Sequence, residues 1–490
     1  MSSAHCATLL TGASSTHAAG TTAAAGAQAP TSTPTQTTPS ATDGADSSRA
    51  SSDAAPNLDL DVRRFQLDNG LRVVLHVDPD APTVAVCVTY DVGARNEQPG
   101  RSGFAHLFEH MMFQGSRNVP KGGHFTLISA RGGSLNGTTS SDRTNYYEVV
   151  PSGALATVLW LEADRLQSLA VTQDNFENQR RVVQEEYRMR VSNAAYAEGL
   201  MRLRELAYEG YWPYAHDAIG SMEDLDNAKI EWIREFHQAY YAPNNAVLAI
   251  SGGFDPDETT ELVRRFFGNA KPSQVPAYEP PAEVPPQQTE RIETLEDLNA
   301  KTPAVYQAWV IPPARTEAHY ALELATIILG YGDSSVLHQR LVREQELLRQ
   351  IDVWTYDHRG PDLFTLRALL TEQAETERAL AAIDAEIERL ATRGPTAEEL
   401  NKAKQQLQSY FLFGLESQLA RSVQLANFEL FWGDAGLLNS EVQHYQRVTA
   451  AGVRDAVAQY LTPERRSTVH VLPPAANSAQ AAPTAAQGAQ

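Results

Sequence analysis

The chain has 490 residues, 42% of them apolar, and a formal charge of −20 at neutral pH. That length accommodates two or three domains with cores of their own. The charge argues against a nucleic-acid partner, whose phosphates need a basic surface, and against anionic membranes. No run approaches the roughly 20 apolar residues of a spanning helix, and two cysteines, Cys6 and Cys87, supply no disulfide framework.

Residues 1–57 are mainly Ala, Ser, Thr, Gly and Pro, a composition expected to stay disordered. No Lys or Arg precedes Arg49, and the basic and apolar regions of a secretory signal are not recognisable. Such a leader ahead of a folded body suits a protein of the bacterial periplasm or envelope. The body starts near Val62. Residues 65–75 predict a hairpin, with Asn69-Gly70 supplying positive φ at its turn. A strand over 83–92 follows, then helices over 103–115, 152–170 and 173–191, with a strand over 144–150 ahead of the second. A helix over 230–241 precedes a strand over 246–251.

Residues 272–290, rich in proline, read as a linker. The order of elements then begins again: strand 305–310, helix 320–329 closed by Gly330, strand 363–370, and helices 375–393 and 397–419. Tyr460-Leu461-Thr462-Pro463 ahead of an apolar strand echoes Tyr240-Tyr241-Ala242-Pro243 ahead of another. The expected fold is α+β: two similar domains from a duplicated unit, 58–271 and 291–473, each an antiparallel-rich sheet with helices packed on it, and a disordered tail over 474–490.

The densest chemistry lies in His106-Leu107-Phe108-Glu109-His110. Positions i and i+4 share a helix face, so both imidazoles can converge on one ion with Glu109 beside it. Zinc favours such nitrogen ligands, and a catalytic site keeps three protein ligands and one place for water, whose proton a neighbouring carboxylate can take. A chance match to this pattern is on the order of a few per cent, so the motif alone is suggestive. A third ligand is sought in Glu185-Glu186, which point about 100° apart on a helix, so that only one can face the ion. Val182, Val183 and Glu186 fall on one face, expected to be the buried side, where a carboxylate needs a metal or an arginine for a partner.

The order His-x-x-Glu-His is the inverzincin signature. Together with Gly132-Gly133-Ser134-Leu135-Asn136-Gly137-Thr138-Thr139, Asp142-Arg143-Thr144-Asn145-Tyr146-Tyr147, Leu161-Glu162-Ala163-Asp164-Arg165 and Tyr240-Tyr241-Ala242-Pro243-Asn244-Asn245, it makes the chain resemble the pitrilysin family of metallopeptidases, and within it the zinc-bearing subunit of a two-subunit bacterial member. The resemblance covers 60–260 and, more weakly, 290–472. It implies one Zn2+ per chain on His106, His110 and Glu186, since the family's metal glutamate lies about 76 residues past the second histidine, the spacing of Glu186 from His110. It further implies Glu109 as general base, half of a clamshell chamber, and short or unfolded peptides adding as a strand to a sheet edge at Gly133, Asn136 and Thr138.

Aligning Gly330 with Gly115 places Ala321 and Ala325 where the two histidines would stand, so the second copy is expected to lack the metal. Active relatives also carry an arginine–tyrosine pair that holds substrate; here Val342 and Arg349 occupy those positions, and Gln179 replaces an auxiliary glutamate. The resemblance therefore points to a heterodimer with a related subunit bearing the pair, the alternative being a homodimer. The rival readings are a non-catalytic structural or assembly subunit and a peptide-binding module. His124, His216, His237, His338, His358 and His444 read as surface or capping residues.

Overall fold

The Asn69-Gly70 turn reverses the chain between β1 (Arg63–Gln66) and β2 (Arg72–Val77), which pair antiparallel with Gln66 opposite Arg72. Only Gly70 takes the left-handed conformation, φ +90°. Asn69 instead donates its side-chain amide to the carbonyls of Phe267 and Ala270 at 2.8 and 3.0 Å, tying the turn to a distant helix end. This computed structural model describes residues 58–278, 283–372 and 375–474. The leader, nearly all of the tail and the middle of the proline-rich segment lie outside the described residues.

The first sheet adds β3 (Thr83–Tyr90), β4 (Ser134–Thr139), β5 (Thr144–Pro151) and β6 (Ala246–Gly252), in the order β1-β2-β6-β3-β5-β4. The pair β2–β6 is parallel and the other pairs are antiparallel. The central strands β3 and β6 are apolar along nearly their whole length because both faces of the sheet are covered. β4 is the edge. Helices follow in chain order: α1 (Phe104–Met111), α2 (Gly123–Ser129), α3 (Leu155–Ser168), α4 (Gln173–Tyr187), α5 (Ala197–Ala207), the short α6 (Trp212–Ala215) and α7 (Met222–Asn227), then α8 (Ile230–Tyr240) and α9 (Pro256–Phe267).

The second sheet consists of β7 (Arg291–Glu296), β8 (Ala304–Ile311), β9 (Leu348–Trp354), β10 (Asp362–Leu370) and β11 (Arg466–Leu472), ordered β7-β11-β8-β10-β9 with β7 and β11 parallel. Position by position this repeats β2-β6-β3-β5-β4, so the duplication expected from the sequence is present in the topology. Its helices are α10 (Glu317–Gly330), α11 (Thr376–Arg393), α12 (Ala397–Gly414), α13 (Gln418–Trp432), α14 (Glu441–Arg447) and α15 (Ala450–Tyr460).

The two halves exchange helices. One face of the first sheet packs Val84, Val86 and Val88 against its own α1, α3, α8 and α9. Its other face, through Val74, Cys87, Val247 and Ala249, is closed by Leu425, Ala426 and Leu430 of α13 from the second half. Reciprocally, Leu203 and Ala207 of α5 pack on Tyr306, Ala308, Val469 and Val471 of the second sheet. Sequence reasoning assigned no helix to 197–207. It also extended one helix over 397–419, where the chain breaks after Gly414 and restarts at Gln418, with the Ser417 hydroxyl accepting from Ala420 N. A helix that must cover a sheet in the other half needs its own direction, and the break provides it.

Candidate metal centre

Helix α1 carries Phe104, Leu107, Phe108 and Met111 at i, i+3, i+4 and i+7, all buried in the first core. Its N-cap is Gly103 with φ +84°, which offers no capping side chain. The Glu97 carboxylate does that work from outside, accepting from Gly103 N at 2.9 Å and Ala105 N at 2.7 Å. His216 holds Glu97 in turn, its Nε2 3.0 Å from Glu97 Oε2, while its Nδ1 meets the Trp212 carbonyl at 3.0 Å. Burial works to lower the His216 pKa, but the hydrogen bond and charge of Glu97 lift it above its ordinary value. His216 is therefore a buried positioning group that caps the C-terminus of α6, the capping half of the expectation, whereas His124 and His358 are buried and not at the surface.

The opposite side of α1 presents His106 and His110, their rings edge to face with centroids 4.9 Å apart. Glu186, near the end of α4, reaches across: its Oε2 lies 3.3 Å from His110 Nε2 and 3.8 Å from His106 Nε2. The three residues offer ligand atoms all within 4.8 Å of one another. The second Glu186 oxygen is 3.0 Å from the Arg190 guanidinium, so one carboxylate faces both the histidines and an arginine. Glu185 points outward and pairs with Arg188. Glu186 is buried, as helix-face reasoning expects, but Val182 is 42% exposed, and only Val183 shares the buried side.

Glu109 is buried, and Thr139 at the end of β4 donates to its Oε2 at 2.5 Å. β4 runs so close that a Cβ at Gly137 would stand 3.1 Å from Glu109 Cγ. Burial raises the Glu109 pKa above the ordinary carboxyl value. Burial, with the neighbouring His110, pushes His106 down to about 3, leaving it neutral. Burial works to raise Glu186, yet its hydrogen bond to His110 and the adjacent positive charges hold it at about 2. Neutral imidazole and ionised carboxylate are the forms that ligate metal. Ligands about 2.1 Å from a tetrahedral zinc lie roughly 3.4 Å apart, close to the spacing of Glu186 from His110, so the residues fit that ion.

Of the proposed edge residues, Asn136 lies in β4 and Gly133 just precedes it. A Cβ at Gly133 would meet Val149 O at 2.7 Å and Val150 Cγ1 at 2.6 Å, so close packing requires glycine there. Thr138 is buried, its hydroxyl bonded to Asn145 and to the Arg143 guanidinium. Sequence reasoning missed Thr139, Arg190 and the Glu97–His216 support. Gln179 lies against His110 as a hydrogen-bonding neighbour.

The family model described as "Insulinase (Peptidase family M16)" matches residues 72–209, and that described as "Peptidase M16 inactive domain" matches 227–407. Zinc protease PqqE of Helicobacter pylori is 30% identical over 353 residues, covering 72% of this chain and 79% of the relative. The chain belongs to the M16, or pitrilysin, family of zinc proteases. An uncharacterized zinc protease of Mycobacterium tuberculosis is also 30% identical, over 86% of this chain and 95% of its own length. Among solved structures, a protease from Helicobacter pylori superposes with a TM-score of 0.80 at 28% identity, over 84% of this chain and all of that one. Pitrilysin itself shares the fold at a TM-score of 0.68 and 20% identity, with this chain matching 46% of its length. The model of the M16 inactive domain spans α10, in which Ala321 and Ala325 are buried and offer no ligand.

Proposed function

We propose that this M16 chain is a zinc-dependent endopeptidase for short or unfolded peptides, holding one Zn2+ on His106, His110 and Glu186 and working as the catalytic subunit of a dimer. The observation that carries the reading is the meeting of two imidazoles on one face of α1 with a carboxylate from a second helix, the buried Glu109 alongside. Bound there, zinc would polarise the scissile carbonyl and lower the pKa of a water molecule. The chain's own groups do the rest. Glu109, raised by burial, is suited to take the water's proton and later pass it to the leaving amine. Thr139 fixes one of its oxygens. The edge strand β4 runs beside Glu109 and is open for a peptide to add as a further strand. Gly137 N is bonded to Asn136 Oδ1 at 2.9 Å, a contact that an incoming peptide carbonyl could replace.

A match to about half of pitrilysin supports a chamber closed by a second subunit. A periplasmic or envelope location is part of this reading, resting on the leader's composition. Among the described residues no helix is long and apolar enough to cross a membrane.

Elemental analysis of His106→Ala, His110→Ala and Glu186→Gln tests the ligand set. Marked zinc loss in all three, with Glu185→Gln unaffected, is expected; wild-type zinc content in the three overturns the assignment.

A further inference from the structure

The second half contains a separate cluster of ligand-type side chains, at the start of α10 and in the turn joining β9 to β10. We infer that His319, Glu323 and Asp357 form a second divalent-cation site, one that secures the loop through which the second half grips the first.

His319 and Glu323, four residues apart on α10, are both buried. Asp362 accepts from His319 Nε2 at 2.9 Å and also from the backbone N–H groups of Asp357 and Leu363, at 2.9 and 2.8 Å. That contact puts a proton on Nε2 and leaves Nδ1 free as a ligand, the usual arrangement behind a metal-bound histidine. Nδ1 is buried with no hydrogen-bond partner and lies 3.2 Å from Glu323 Oε2. Two acceptors face each other there unless a proton or a cation lies between them. A proton would serve Glu323 and Asp362 but not Asp357, whose Oδ1 is 3.7 Å from Nε2, beyond hydrogen-bonding reach. Arg315, on the neighbouring chain segment, is paired with Glu441. His319, Glu323 and Asp357 offer ligand atoms within 4.8 Å of one another, and one nitrogen with two carboxylates suits Zn2+ or Mn2+. Asp357 adopts φ +59° and is one-third exposed, leaving an entry route.

The other side of this turn meets the first half. Arg359 N donates to Asp142 Oδ2 at 3.1 Å, its guanidinium reaches Asp91 at 2.7 Å, and the His358 ring stacks on Tyr214 with centroids 4.2 Å apart. Asp142 lies in the β4–β5 turn, three residues past Thr139. A cation on one side of the loop thus braces a contact next to the strand that positions Glu109.

The test uses the full chain with the first site disabled, His106→Ala/His110→Ala, dialysed against Zn2+ or Mn2+ and then measured for bound metal and thermal unfolding. One remaining equivalent is expected, with a metal-dependent rise in Tm, both lost on adding Asp357→Asn or Glu323→Gln. No bound equivalent in the first-site variant overturns the inference, because a proton then fills the cluster. An equivalent that survives both substitutions overturns it too. Should Glu323→Gln fail to fold, the partly exposed Asp357→Asn decides alone.

Discussion

The Thr139 hydroxyl donates to Glu109 Oε2 at 2.5 Å, joining the edge strand to a carboxylate of α1 across 30 positions of sequence. The bond orients a side chain that packing alone would leave free to turn about its last torsion. Thr139→Ala is expected to lower kcat by about 10–100-fold, the usual range for partners that orient a metal site, with zinc content and KM little changed. Thr139→Ser keeps the hydroxyl and should restore most of the loss. Equal kcat in the alanine variant, or loss of zinc with it, contradicts a positioning role.

The Glu97 carboxylate caps α1 and bonds to His216. Glu97→Ala leaves two backbone N–H groups without their acceptor and takes the charged partner from a buried imidazole, which keeps only the carbonyls of Ala94 and Trp212. Removing one member of such a buried pair costs about 3–5 kcal/mol, read as a lower denaturant midpoint at unchanged m-value. A loss below about 1 kcal/mol would mean that water replaces the carboxylate.

Burial, helped by the charge of Arg165, lowers the His124 pKa from 6.5 to about 4 in the folded chain. Between those values the unfolded chain binds a proton that the folded chain does not. Stability attributable to His124 is therefore intact above pH 6.5, declines as pH falls, and is lost by about pH 4, to the extent of roughly 3 kcal/mol. His124→Gln should flatten the fall in unfolding free energy over this window. His237, lowered to about 4 by burial, keeps part of the slope. An unchanged pH profile contradicts the assignment.

How much of this was legible in the sequence depends on the range of the interaction. The His-x-x-Glu-His spacing is local, and a helix makes it a shared face; Glu186 follows from helix geometry together with the family spacing. β4 was harder, because Ser134-Leu135-Asn136-Gly137-Thr138-Thr139 lacks the alternating apolar pattern, and pairing with β5 makes it a strand. Thr139 and Glu97 give no local signal, since a hydroxyl or a charge acquires its role only from the partner that tertiary structure brings, whereas Arg190 stands at i+4 from Glu186, a spacing the sequence displays. The exchange of α5 and α13 was invisible for the same reason: an amphipathic helix shows that it has a buried face, not which sheet covers it. Val182 fell on the expected buried stripe but marks its exposed margin.

Val342 packs against the second core and Arg349 is exposed on β9, the edge of the second sheet. Neither offers the arginine–tyrosine pair that the family resemblance associates with substrate holding. The isolated chain is expected to cleave unstructured peptides weakly, by about 10²-fold relative to a complex with a pair-bearing related subunit, as loosely held substrates react slowly. Full-strength cleavage by the chain alone, as a homodimer, contradicts that division of labour.

The most direct test of the whole account is the peptide-hydrolysis rate of zinc-replete Glu109→Gln. Glutamine keeps the shape of the side chain and the contact with Thr139 but cannot take a proton from water. The account predicts wild-type zinc content and fold, with turnover reduced by at least about 10²-fold. Turnover near the wild-type rate in a metal-replete variant would contradict it, and the base would have to be sought elsewhere.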